Sequence, residues 1–254
     1  MNAVSSWLPI KMPDSACLTL FCLPFAGAGA NIFLPWLDVF GPKIRVCPVE
    51  YPGRARRYAE PMPVDLGDLV DAILDGIGSL LPEKYAYFGH SMGGLLAYEL
   101  ARRSRASSIP LPQAIVVSSW AAPSSLQALR KRHLLNDEAF IHELRAMGGT
   151  PDEILSNQKL LPFILPIARA DFALIEKWRS PPAAPLPLPI HVLGGDNDPE
   201  VLVHALQQWQ NHTTAGMSLD VLSGGHFCVY EQKTTTGTIV RGYLNQAIEQ
   251  NHCD

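Results

Sequence analysis

The sequence predicts an α/β fold, with a mostly parallel sheet and helices on both faces. Three observations predict it. Short apolar runs recur along the chain between turn residues, as strands buried on both faces require. Longer segments, with apolar residues at spacings of three and four, lie between them. The two kinds alternate, which implies parallel strands joined by helical crossovers. At 254 residues the chain is long enough for one large core, and a single domain over 1–254 is expected.

The elements follow in order. Cys17 to Leu23 (CLTLFCL) reads as a buried first strand, followed by the loop Pro24 to Ala30 (PFAGAGA). Ile44 to Glu50 is a second strand, and Pro48 argues for an edge or a late position because proline cannot donate to a ladder. Asp65 to Leu81 is a helix, with Leu66, Leu69, Val70, Ile73, Leu74, Ile77 and Leu80 on one stripe and Pro82 as its stop. Tyr85 to Gly89 is a third strand, Met92 to Ser104 a helix, and Ala114 to Ser119 a fourth strand. From about 121 to 180 only helical patterns occur, which reads as a helical insertion. The run 181–189 holds five prolines and forms a stiff strap back to the sheet. Ile190 to Leu193 and Ser218 to Leu222 are the fifth and sixth strands. Pro199 to Asn211 is a helix with Pro199 in its first turn, and Thr234 to Gln250 is the last helix.

Composition removes several function classes. Proline accounts for 22 residues, nearly twice the usual roughly 5%, and charged residues for only 17%. That is too apolar for a disordered chain. A net charge of −4 gives no reason to expect a nucleic-acid or anionic-membrane partner. No apolar run reaches eighteen residues, so no transmembrane helix is expected. Met1 to Lys11 has no basic region followed by an apolar one, so no signal peptide is expected. The five scattered cysteines, Cys17, Cys22, Cys47, Cys228 and Cys253, fit reduced thiols in a cytoplasmic protein and bind no metal on this reading.

The motif with chemistry is Gly89-His90-Ser91-Met92-Gly93, a G-x-S-x-G between a strand and a helix. A serine on such a strained turn stands above the sheet edge, and the glycines let strand and helix approach. The helix start behind Ser91 offers N–H groups where negative charge can be held. No lysine follows the glycines, so a phosphate loop is excluded.

A serine needs a base, and the partners should follow in the order acid, then histidine. Of the eight histidines, only His226 has a predicted strand before it and glycines beside it. Asp198, just beyond the fifth strand, is the first choice of acid, with Asp196 as the alternative. Its task would be to hold the imidazole tautomer and the imidazolium. The oxyanion donors expected are the N–H of Met92 and that of Ala26, with Phe25 as second choice.

Taken together these segments resemble a stand-alone type II thioesterase of the α/β-hydrolase superfamily. The likeness runs through LFCLPFAGAGA (20–30), VEYPGRARRYAEP (49–61), FGHSMGG (88–94), MGGTPDEILSN (147–157), LLPFILPIARADFALIEKW (160–178), LGGDNDP (193–199) and SGGHFCVYEQ (223–232). The resemblance implies an α/β-hydrolase fold in which Ser91, Asp198 and His226 form a triad. It implies hydrolysis of acyl thioesters on the 4′-phosphopantetheine arm of acyl or peptidyl carrier proteins, serving polyketide synthases and non-ribosomal peptide synthetases. No cofactor is implied, and a monomer is. The insertion becomes a lid, and Leu160, Leu161, Phe163, Ile164, Leu165 and Phe172 are expected to line an acyl pocket. Docking of an acidic carrier would need a basic patch, from Arg54, Arg56 and Arg57 or from Arg130, Lys131 and Arg132. Cys228 and Ala28 depart from the family pattern, which usually has an aromatic residue and often a further glycine there. The alternatives are a general carboxylesterase on small esters, an acyltransferase, and a non-catalytic binding protein. The intact Ser91, Asp198 and His226 speak against the last.

Overall fold

The computed structural model describes residues 5–10, 16–107, 109–125 and 130–249. Six strands form one sheet: β1 (Leu18–Leu23), β2 (Ile44–Pro48), β3 (Tyr85–His90), β4 (Ile115–Ser118), β5 (Ile190–Gly195) and β6 (Met217–Leu222). Their spatial order is β2-β1-β3-β4-β5-β6, and every neighbouring pair is parallel. This is the expected sheet, with β2 at the edge and Pro48 as its last residue, which agrees with both places expected of that proline.

Side chains alternate between faces along each strand. Phe21 and Leu23 of β1 and Tyr85 and Tyr87 of β3 join one buried cluster, while Leu20, Cys22, Ala86 and Phe88 join the other. The first face is covered by α1 (Leu66–Ile77) and α2 (Met92–Arg105), which bury Leu69, Ile73, Leu96 and Leu100 against it. Asp65 caps α1 by accepting the Gly67 N–H at 2.7 Å.

Between β4 and β5 lie α3 (Asp137–Met147), α4 (Asp152–Leu155) and α5 (Leu161–Lys177), and no strand among the described residues. Pro162 takes the first turn of α5, where no donor is missed, and the helix runs on through Pro166 rather than ending there. The proline-rich run is sewn to the body. Leu186 and Leu188 are buried, and Leu186 exchanges backbone bonds with His212 and Thr214, both at 2.9 Å.

The helix expected over 199–211 is shorter than its pattern. It comprises α6 (Val203–Gln207) and a 3-10 turn to His212. Asp198 Oδ1 accepts the N–H groups of Glu200 and Val201 at 2.8 and 3.2 Å, which folds this stretch into a turn and keeps Pro199 out of the helix. After β6 come α7 (Cys228–Glu231) and α8 (Lys233–Glu249); Gln250 lies outside the described residues. Val240, Leu244 and Ile248 of α8 cover the second face of the sheet, beside Phe33 and Trp36.

The cysteine expectation is corrected at one position. Cys17 is disulfide-bonded, whereas Cys22, Cys47 and Cys228 are free and buried; Cys253 lies outside the described residues. No described helix is long and apolar enough to cross a membrane. The chain runs from β1 out to β2 and then crosses back to β3. Strand order therefore reverses beside β1, which opens a crevice at the carboxyl ends of β1 and β3.

Candidate active site

Ser91 stands at that crevice with φ +53° and ψ −118°, a region L-residues rarely occupy. Two close approaches create this turn. A Cβ at Gly89 would lie 1.9 Å from the Gly93 carbonyl oxygen, and a Cβ at Gly93 would lie 2.0 Å from that of Leu23. Only glycines let β3, α2 and the end of β1 meet this closely. The Ser91 N–H bonds the Ser118 carbonyl at 2.8 Å, which ties the elbow to β4.

His226 and Asp198 meet beyond β6 and β5. His226 Nδ1 donates to Asp198 Oδ2 at 2.8 Å, and both side chains are buried. The carboxylate can only accept, so Nδ1 carries a proton, and in the neutral tautomer this leaves the lone pair on Nε2. The other carboxylate oxygen is taken by the two N–H groups of the Glu200 turn. Asp196 does a different job: its Oδ1 accepts the Gly224 N–H at 2.8 Å. The two loops touch because a Cβ at Gly195 would lie 2.3 Å from the Gly224 carbonyl oxygen. Ser119, also at positive φ, donates its hydroxyl to the His226 carbonyl at 3.2 Å. The sequence reading missed this support, and its signal was position: Ser119 directly follows a strand at the sheet's carboxyl edge.

The loop after β1 can be accounted for group by group. The Pro24 carbonyl accepts from the Tyr51 hydroxyl at 3.2 Å, and the Phe25 carbonyl from the Ala28 N–H at 3.0 Å. Asp171 takes the Gly27 N–H at 2.8 Å, and Glu50 the Ala30 N–H at 3.2 Å. Between Phe25 and Ala28, the N–H groups of Phe25 and Ala26 have no acceptor among the described residues. Ala28 needs no glycine there, since the positive φ of the loop falls on Gly27.

A cavity of about 290 Å³ contains both Ser91 and His226 in its lining, with Trp120, Met147, Phe172, Ile175 and Val201 among its apolar walls. It therefore joins a strained serine, a histidine oriented by a carboxylate, and a chamber with apolar walls that Arg132, Glu176 and Glu200 also line. Such an arrangement suits acyl transfer through a covalent serine ester.

The thioesterase domain family model matches residues 18–243 of this chain. The chain belongs to that family. It is 37% identical over 234 residues to the gramicidin S biosynthesis protein GrsT of Aneurinibacillus migulanus, covering 92% of this chain and 91% of that protein. It is 35% identical over 221 residues to the thioesterase PikA5 of Streptomyces venezuelae, covering 87% and 78%. Among solved structures it is similar to the type II thioesterase BorB from the borrelidin biosynthetic cluster. That match has a TM-score of 0.86 and 35% identity, and covers 96% of this chain and 100% of that one.

Several expectations about this thioesterase are corrected by the structure. Of the six residues expected in an acyl pocket, Phe172 lines the cavity, while Leu160, Leu161, Phe163, Ile164 and Leu165 do not. The reason is helix geometry. Phe172, Ile175 and Glu176, spaced three and four apart on α5, face the chamber, and the earlier residues lie turns away. Phe163 is 55% exposed and its ring meets that of Tyr58; Leu165 is buried in the core. The basic clusters are corrected too. Arg54 and Arg57 are buried, and Arg132 is buried between Glu143 (2.8 Å) and Glu200 (2.7 Å), leaving Arg56, Arg130 and Lys131 exposed.

Two buried groups near His226 are held neutral. Burial, and then the charge of His226, hold His90 well below the usual histidine range. Its Nδ1 lies 3.0 Å from Ser118 Oγ, and its ring centroid is 5.1 Å from that of His226. A neutral ring there sets no positive charge beside His226. Burial, and then the Asp198 charge, push the Cys228 thiol up to about 11, so it stays protonated and packs as a small apolar group.

Proposed function

We propose that this thioesterase hydrolyses acyl thioesters on the 4′-phosphopantetheine arm of acyl or peptidyl carrier proteins, as a type II editing enzyme of polyketide or non-ribosomal peptide assembly. The observation that carries the reading is the 2.8 Å bond from His226 to Asp198 in a chamber that also holds Ser91. Relatives named for gramicidin S and borrelidin biosynthesis support the pathway class.

On this reading His226 Nε2 takes the Ser91 proton as Oγ attacks the thioester carbonyl. The N–H groups of Met92 and Ala26, with Phe25 as second choice, hold the oxyanion. The intermediate collapses, the C–S bond breaks, and His226 protonates the departing pantetheine sulfur. Water then enters, gives its proton to His226 and attacks the acyl-serine, and Ser91 recovers its proton as the free acid leaves. Asp198 holds the Nδ1–H tautomer and the imidazolium throughout. The helices between β4 and β5 act as a lid over the chamber, whose apolar walls receive the acyl chain.

The test is intact-protein mass of several acyl-loaded carrier proteins before and after incubation with the enzyme. Loss of the acyl mass with the phosphopantetheine retained is expected, and Ser91→Ala should leave the acyl group in place. Turnover by Ser91→Ala, or hydrolysis of matched oxyesters alone, would overturn the proposal.

A further inference from the structure

Arg54 and Asp171 form a buried two-point ion pair, Nη1 to Oδ2 at 2.6 Å and Nη2 to Oδ1 at 2.8 Å. Their side chains are 5% and 2% exposed. Both partners also hold the loop after β1. Asp171 Oδ2 accepts the Gly27 N–H at 2.8 Å, and Arg54 Nη1 donates to the Ala28 carbonyl at 3.1 Å. The helix that bears Asp171 lies directly on this loop: a Cβ at Gly27 would stand 3.2 Å from Ala168 Cβ, one turn earlier on α5. Gly27 has φ +84° and is the loop's left-handed residue.

Stability alone is a poor reason for such a pair. Apolar residues of similar volume often hold a core as well as a buried ion pair or better. What an apolar pair cannot do is take a backbone N–H and a backbone carbonyl of the same loop, one residue apart. That clamp decides which N–H groups remain for a ligand. With Gly27 committed to Asp171 and Ala28 to Phe25, those of Phe25 and Ala26 remain.

We propose that Arg54 and Asp171 are positioning residues of the reaction: their ion pair, carried on α5, sets the loop so that the Ala26 and Phe25 N–H groups aim at the developing oxyanion. The inference rests on the hydrolase reading above. Arg54 and Asp171 touch no reacting atom and move no proton. They act by fixing backbone direction, and a misplacement of about 1 Å in such a group costs on the order of 10²-fold in rate.

The test uses purified full-length chain, a hexanoyl thioester of N-acetylcysteamine, and hexylboronic acid, whose anionic adduct on Ser91 imitates the tetrahedral intermediate. Asp171→Asn should lower kcat at least about tenfold with KM changed less than about twofold. Its inhibition constant for the boronic acid should rise by the same factor as kcat falls. Should Asp171→Asn fail to fold, the double variant Arg54→Met with Asp171→Leu carries the test. It removes both charges together and avoids leaving either one buried alone. The double variant should melt near the wild-type temperature and yet keep the loss in kcat and in boronate affinity. Recovery of wild-type kcat in the double variant would make the pair merely structural and overturn the proposal. So would a fall in kcat with boronate affinity unchanged. A wild-type chain inert toward the thioester would instead overturn the hydrolase reading, and this inference with it.

Discussion

The loop between α3 and α4 closes on the residue beside His226: a Cβ at Gly149 would stand 2.2 Å from the ring of Phe227. Gly149 has φ +83°, and Gly148 before it φ +79°. The Phe227 ring in turn lies 4.9 Å from that of Phe25, on the loop after β1, and 5.2 Å from that of His226. The helical segment therefore meets both loops of the site, through Gly149 at Phe227 and through Asp171 at Gly27.

Gly149→Ala should accordingly disturb both packing and site. The new methyl group meets a strained φ and a ring, so a stability loss of about 1–3 kcal/mol is expected. At a temperature where the variant is folded, kcat/KM should fall at least about tenfold, because the ring that moves is packed on His226. Gly216→Ala is the control. It has φ +99° but nothing within 4 Å, so it should lower the melting temperature with activity retained. Equal activity in both variants would show that the Phe227 contact does not matter.

The two acids near the base should separate cleanly. Asp198→Asn keeps the shape but holds the wrong tautomer, and kcat should fall on the order of 10⁴-fold. Asp196→Asn keeps an oxygen for the Gly224 N–H and should cost no more than a few-fold. Steady-state kinetics of both variants decides it, and a larger loss in Asp196→Asn would reverse the assignment.

Much of the fold was legible because burial on both faces writes a parallel strand as an unbroken apolar run; Leu18–Leu23 and Tyr85–His90 are buried at every position. Pro48 likewise pointed to an edge or a strand end, and it stands at both. The site was legible where local geometry carries it, as in the glycines around Ser91. Spacing alone separated Asp196 from Asp198 poorly, because both follow β5 and the choice turns on which oxygen meets Gly224. Arg54 read as part of a basic docking patch because its partner, Asp171, is 117 residues away in the chain. Of the residues expected in an acyl pocket, only Phe172 lines the cavity, for a related reason. Periodicity shows that α5 has a buried stripe, but tertiary docking decides which turn of that stripe reaches the chamber.

That distinction can be measured on two phenylalanines of the same helix. Phe172 lines the cavity, whereas Phe163 is exposed on the surface. Phe172→Leu should lengthen the chamber and shift kcat/KM toward longer acyl thioesters by about 3- to 10-fold. Phe163→Ala should leave the acyl-length profile unchanged. A profile that moves with Phe163 and not with Phe172 would place the acyl chain elsewhere.

Acid stability depends on a buried histidine in the sheet. His191 of β5 stacks on Tyr243 of α8, with ring centroids 4.2 Å apart and an interplanar angle of 6°. Its Nδ1 is 2.6 Å from Ser218 Oγ, and the Tyr243 hydroxyl bonds Asp220. Burial lowers His191 to about 4, with the Asp220 charge opposing in part. In the unfolded chain a histidine titrates near 6.5. The unfolded state therefore binds a proton between about pH 6.5 and 4 that the folded state refuses. The contribution is complete above about 6.5 and is lost as pH falls toward 4, amounting to on the order of 3 kcal/mol. His191→Gln removes this titration, although it also loses the stacked ring. Melting curves at pH 7 and pH 4.5 should thus show a larger fall in Tm for the wild-type chain than for the variant. An equal fall in the two proteins would mean that other groups govern acid stability.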